Sequence, residues 1–207
     1  MKDTKKLLPI VLVCGGLWGF MEATLGYFLH FLPVGFSGMV MFPIGFYFMF
    51  NAFKASGKNS AIFSTALIAA AIKCSDLVLP QSTAIRVLNP AVSILLEALV
   101  VFVFVEVYSQ KRIYVKSFAM GLGWMLLFVI TQALVLKPAE GLYRMPLAEM
   151  LGFIVFNTVV SGLLTGTYLK KPAIFRWQLD PQKLSYVQPA IIIALAVVCE
   201  LGNSLMF

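Results

Sequence analysis

Charge is scarce in this chain: only 12% of its 207 residues are Asp, Glu, Lys or Arg, about half of the ~25% usual in a soluble domain. It has one histidine, three cysteines and nine acids. Each shortage excludes something. One histidine cannot build a multi-His metal site, so no metal or other cofactor is expected. Cys14, Cys74 and Cys199 sit in apolar runs, show no metal-ligand spacing and cannot all pair. They read as small hydrophobes, which rules out a disulfide framework. So little charge beside so much apolar residue excludes a disordered chain and an ordinary soluble enzyme.

What the chain does have is hydrophobic: 60% of its residues, for a mean hydropathy of +0.91. At about 20 residues per spanning helix, this length holds six or seven spans with almost nothing outside them. The class is an all-α integral membrane protein, one bundle and one domain over residues 1–207. Apolar runs separated by Gly, Pro and charge give seven candidates: Leu7–Leu32, Met39–Phe53, Ala61–Leu79, Asn89–Ser109, Ser117–Leu136, Leu147–Leu169 and Tyr186–Met206. The second is short and holds Pro43 and Gly45, the pattern of a broken or tilted pocket-lining helix. Lys2, Lys5 and Lys6 ahead of Leu7–Val13 imitate a secretory signal. No small-x-small cleavage site follows and the apolar run passes Leu25, so the segment reads as a first span. No internal repeat or low-complexity stretch stands out.

The net charge of +7 reads as topology rather than as affinity for nucleic acid. With the N-terminus in the cytoplasm, the inner segments hold Lys2, Lys5, Lys6, Lys54, Lys58, Lys111, Arg112, Lys116, Lys170, Lys171, Arg176 and Lys183. The outer loops hold Arg86, Lys137 and Arg144, and Lys73 lies within a span. Twelve against three is a strong positive-inside bias. It places the protein in the plasma membrane with its C-terminus outside. The inner segment Lys170–Gln188 alternates Ile174, Phe175, Trp177 and Leu179 with Arg176 and Gln178, an interfacial stretch anchored by Trp177 or a docking surface.

The acids take the other side. Glu22 lies about 22 Å into the first span at 1.5 Å per residue, with His30 two turns beyond. Lys73 and Asp76 share a face near the outer end of the third. Arg86 precedes the fourth span, and Glu97 lies eight residues into it. Gln132 ends the fifth span, Glu149 opens the sixth with Asn157 further along it, and Glu200 and Asn203 occupy the outer part of the seventh. Glu140 and Arg144 lie in the outer loop Lys137–Pro146. Ionisable groups in a bilayer cost roughly 2.5–3.5 kcal/mol each on insertion scales. Polar contacts between membrane helices return only ~0.6 kcal/mol on average. A polar pocket open to the outside therefore accounts for them better than ion pairs acting as glue. The excess of acids over bases there favours a cationic or zwitterionic solute. As candidate solute-binding residues we take Glu22, His30, Lys73, Asp76, Arg86, Glu97, Gln132, Glu149, Asn157, Glu200 and Asn203.

Small residues mark the inner half. Gly15 and Gly19 are four apart in the first span, Gly162 and Gly166 in the sixth, and such pairs let a second helix approach closely. That helix belongs either to this chain or to a partner protein. Gly15 and Gly19, the segment Trp18-Gly-Phe-Met-Glu-Ala-Thr-Leu-Gly-Tyr27 and the following Phe42-Pro-Ile-Gly45 give the chain a resemblance to the substrate-binding S components of energy-coupling factor (ECF) transporters. The resemblance implies a micronutrient-binding subunit without catalytic activity. It also implies a coupling membrane subunit, docked on the Gly15/Gly19 face, and cytoplasmic ATPases. No phosphate-binding G-x-x-x-x-G-K-[ST] run occurs here, in keeping with an ATPase on separate chains. S components usually have six spans, one fewer than counted here. The metal-specific members carry an N-terminal histidine, absent here. A stand-alone ion-coupled transporter, with Glu22, Glu97 and Glu200 as proton carriers, is the main alternative. An intramembrane enzyme lacks any H-E-x-x-H or G-x-S-x-G motif.

Overall fold

In the computed structural model, residues 4–29, 31–32, 36–80, 82–106, 111–171 and 184–205 are described, with side chains from Leu7 onward and without that of Ser204. Each long apolar run becomes a helix, because a backbone surrounded by apolar side chains has to satisfy its own polar groups. Among the described residues there are seven long helices: α1 (Thr4–Met21), α2 (Phe36–Ser56), α3 (Ser60–Lys73), α4 (Ala84–Glu106), α5 (Ile113–Thr131), α6 (Leu147–Lys170) and α7 (Val187–Leu205). The first six, with their extensions, are long and apolar enough to cross a membrane, while the apolar stretch Val187–Asn203 of α7 is shorter. His30 and the Trp177 segment lie outside the described residues.

The second helix is longer and more regular than its sequence suggests. It runs for 21 residues through Pro43 and ends where Gly57, at φ 68, closes its N–H onto the Phe53 carbonyl at 2.8 Å. A left-handed residue there suits glycine and stops the helix. α2 is also the centre of the bundle, packed against α1, α3, α4 and α6. Phe42, Phe46 and Met49 on it are fully buried. Around α2, α1 packs on α3, α3 on α4, α4 on α5 and α5 on α6, whereas α7 lies outside against α1 and α3.

The outer surface is apolar and parts of the interior are polar, the reverse of a soluble bundle. On α6, Val155, Phe156, Val159 and Leu163 are exposed while Asn157, Ser161 and Thr165 are buried. The buried Ser161 and Thr165 hydroxyls donate back to the carbonyls of Asn157 and Ser161 one turn earlier, as hydroxyls do where water is excluded. Such an exterior suits a lipid surrounding.

Both glycine pairs are covered by helices of this chain. A Cβ on Gly15 would stand 2.6 Å from the Ile68 Cβ and 2.7 Å from the Thr65 carbonyl, both on α3, and one on Gly19 would strike Ile72. Gly162 and Gly166 receive Phe118 and Tyr114 of α5. Of the two readings of these pairs, packing within the chain is the one seen at each of the four glycines: the close approaches they permit are α1 to α3 and α6 to α5. Gly152, on the exposed side of α6, has nothing within 4 Å.

Gly15→Ala is expected to destabilise the protein by about 1–3 kcal/mol through overpacking against α3. Gly152→Ala, gaining helix propensity in open space, should stabilise it by up to about 1 kcal/mol. Thermal unfolding in detergent checks both, with opposite shifts in Tm.

Candidate binding cavity

Five helices depart from regular geometry in one and the same half of the bundle. α1 widens into a π-helical turn over Glu22–Gly26 before a last turn at Tyr27–Leu29, and α5 widens likewise over Gln132–Leu136. α3 tightens into a 3-10 turn over Cys74–Val78. α2 and α4 carry Pro43 and Pro90 internally, each of which withholds one N–H from the helix ladder. Widened turns are frequent where a helix borders a functional site. Here they redirect Glu22 and Gln132, and the tightened turn carries Asp76.

These irregular ends enclose a cavity of about 830 Å³, within the range that holds a small organic solute. Its floor includes Glu97, which lies about 20 Å along α4 from Ala84 at 1.5 Å per residue, and it reaches the loop residues Ser82, Thr83 and Glu140. Glu97 and Trp18 share the space that Gly45 leaves open. A Cβ on Gly45 would lie 2.5 Å from the Trp18 ring and 2.7 Å from Glu97 Oε2. Gly38, about two turns earlier in α2, leaves equivalent room for Trp124. The Trp18 indole N–H donates to Glu22 Oε1 at 3.2 Å, which holds that carboxylate at the wall.

The opposite wall carries a charge network. Lys73 donates to Glu200 on α7 and lies 4.0 Å from Asp76 Oδ2. Asn203, one turn beyond Glu200, donates to the Ala23 carbonyl inside the π turn of α1. The peripheral helix α7 is thus tied to the cavity by two polar residues. Across the space, Gln132 Nε2 donates to Asn89 Oδ1 at 3.1 Å. Trp124 lies flat on Phe42, 4.9 Å between ring centres, and is followed by Phe128. With Met41, Ile94 and Met125 these rings form an apolar side to the cavity.

Five buried polar atoms of the lining have no hydrogen-bond partner: Asp76 Oδ1, Glu97 Oε2, Gln132 Oε1, Glu200 Oε2 and Trp124 Nε1. Each belongs to a residue no more than 5% exposed. A buried polar atom left unpaired costs about 1–3 kcal/mol. Five around one space mark a site that a polar guest would complete.

Of the eleven residues singled out from sequence, Glu22, Lys73, Asp76, Arg86, Glu97, Gln132, Glu200 and Asn203 line the cavity. Two do not. Glu149 is exposed on the first turn of α6, and Asn157 is buried away from the cavity on the same helix, within reach of Ser161. His30 is outside the described residues. Trp124, Phe128, Ser93 and Asn89 line the space without having been singled out. Trp124 carried a signal in its indole N–H, which needs a partner when buried. Among the described residues no cluster of His, Cys, Asp and Glu could hold a metal ion.

No known family, curated protein or solved structure matches this chain.

Lys73→Met would leave Glu200 and Asp76 buried without their cation, at an expected cost of about 3–5 kcal/mol. The double variant Lys73→Met/Glu200→Gln should recover part of that loss. Unfolding of the four proteins of this cycle in detergent measures the coupling.

Proposed function

We propose that this chain is a membrane-embedded binding subunit for a small solute, which enters the cavity from the outer face of the plasma membrane. The observation that carries this reading is that the five residues with these unpartnered buried polar atoms all line one cavity. The orientation follows from charge. Lys54, Lys58, Lys111, Arg112, Lys116, Lys170 and Lys171 all belong to the ends of the helices remote from the cavity, and the positive-inside rule supports a cytoplasmic position for that side.

Binding is favoured over unaided passage by what lies beneath Glu97. Phe46 packs edge-on against Phe104 and Tyr168, with centroids 5.9 and 6.2 Å away, and stacks on Phe50 at 5.3 Å. A transporter acting alone needs polar groups along both halves of its path, and this half is filled with aromatic rings. Uptake therefore calls for a second component that supplies energy, and an ATP-driven module of the ECF kind would supply it. That part of the proposal rests on the resemblance in sequence. With Gly15 and Gly19 covered by α3, a coupling subunit would have to dock on another surface.

Native mass spectrometry of the gently purified chain should reveal a bound small molecule that Glu97→Gln loses while keeping its Tm within a few degrees. A solute retained by Glu97→Gln would remove the cavity from the proposal. For orientation, Glu140→Cys should react with a membrane-impermeant maleimide in intact cells. Lys111→Cys should react only after permeabilisation, both in a background lacking Cys14, Cys74 and Cys199.

A further inference from the structure

Resting on the solute-binding reading, we infer that the solute is an organic cation: a protonated amine carried on an apolar body. The donor–acceptor balance of the cavity points to it. Four of the five unpartnered lining atoms are oxygens, on Asp76, Glu97, Gln132 and Glu200, and the fifth is the Trp124 indole N–H. A carboxylate oxygen accepts hydrogen bonds and an amide oxygen can do nothing else. The guest must therefore bring donors, and an ammonium group brings three of them with a positive charge.

The charges agree with the donor count. The lining contains five acids, Glu22, Asp76, Glu97, Glu140 and Glu200, against two bases, Lys73 and Arg86. Lys73 is already engaged by Asp76 and Glu200, and Arg86 is exposed. Glu97 and Glu22 both line the cavity, and Glu97 keeps an unpartnered oxygen. A cation placed there pairs with that oxygen and is attracted by both acids. An anion would be repelled by them. A bare metal ion is the wrong guest, since the described acids do not converge as a ligand set.

The other side of the cavity requires a body. Met41, Ile94, Met125, Phe128 and Trp124 face the space as one apolar surface, braced by the Trp124 stack on Phe42. A naked ammonium would leave this surface against water. A guest with an apolar portion covers it, and burial of such area adds affinity. An ammonium near indole and phenyl rings gains further from their electron-rich faces.

Four probes of related shape separate charge from body: phenethylamine, phenethyl alcohol, hydrocinnamate and ethylamine. Their binding to the purified full chain in detergent would be measured by calorimetry and by the shift in Tm. Phenethylamine is expected to bind, ethylamine about tenfold or more weakly for want of the body. The alcohol and hydrocinnamate should bind at least about tenfold more weakly than the amine. Glu97→Gln should weaken phenethylamine by about tenfold or more without changing the alcohol. Glu149→Gln, outside the cavity, should change neither. Equal or tighter binding of hydrocinnamate or the alcohol overturns the inference, as does failure of all four to bind. An anionic solute released from the native protein on denaturation also overturns it, while leaving the binding reading intact. A protein that releases no solute and binds no probe overturns both.

Discussion

Lys73 places an ammonium group between Asp76 and Glu200 inside a bundle whose outer surface is apolar, and much of the cavity follows from that requirement. A charge removed from water needs a counter-charge close by and hydrogen bonds to fill its remaining valences. Glu200 satisfies it from α7, a helix that otherwise lies outside the ring formed around α2. Asp76 contributes from a tightened 3-10 turn. The pair leaves one oxygen on each acid unpaired. The residues of this ion pair are also residues of the cavity wall.

The glycines set where that wall can stand. Gly45 and Gly38 of α2 give space to Trp18 and Trp124, and Gly15 and Gly19 bring α1 down onto α3. Without the first pair the indoles would be displaced, and with them the carboxylate of Glu22 that Trp18 holds. Without the second, α1 and α3 would stand further apart, taking Glu22 away from Lys73. Close helix packing through Gly15 and Gly19 thus bears on the polar geometry of the cavity. Among the described residues the π-helical and 3-10 turns of the helices lie in the cavity half.

Seven helices were legible in the runs of apolar residue, because the backbone in an apolar setting has few alternatives to a helix. The Met39–Phe53 run understated its helix, since Pro43 signals a break and yet a single missing N–H was tolerated within packed neighbours on four sides. Placing the charged and polar residues by depth along each span picked out eight that line the cavity, because depth needs only a rise per residue. Glu149 and Asn157 fall outside the lining, because depth says nothing of rotation about the helix axis. Trp124 and Phe128 were invisible for a different reason: an aromatic ring in an apolar run reads the same whether it faces lipid, core or cavity.

The amino-acid sequence by itself determined the helices, their alternation and the gathering of acids towards one end, since these depend on hydropathy and on distance along the chain. Which faces meet was decided only in three dimensions. The small-residue pairs could have served a second protein, and close approach by α3 and α5 took them instead. The scattered acids could have paired off completely, and the packing left four oxygens and one indole N–H without partners on residues that line one space. Contact and rotation are properties of the packed bundle, and in them lies the cavity.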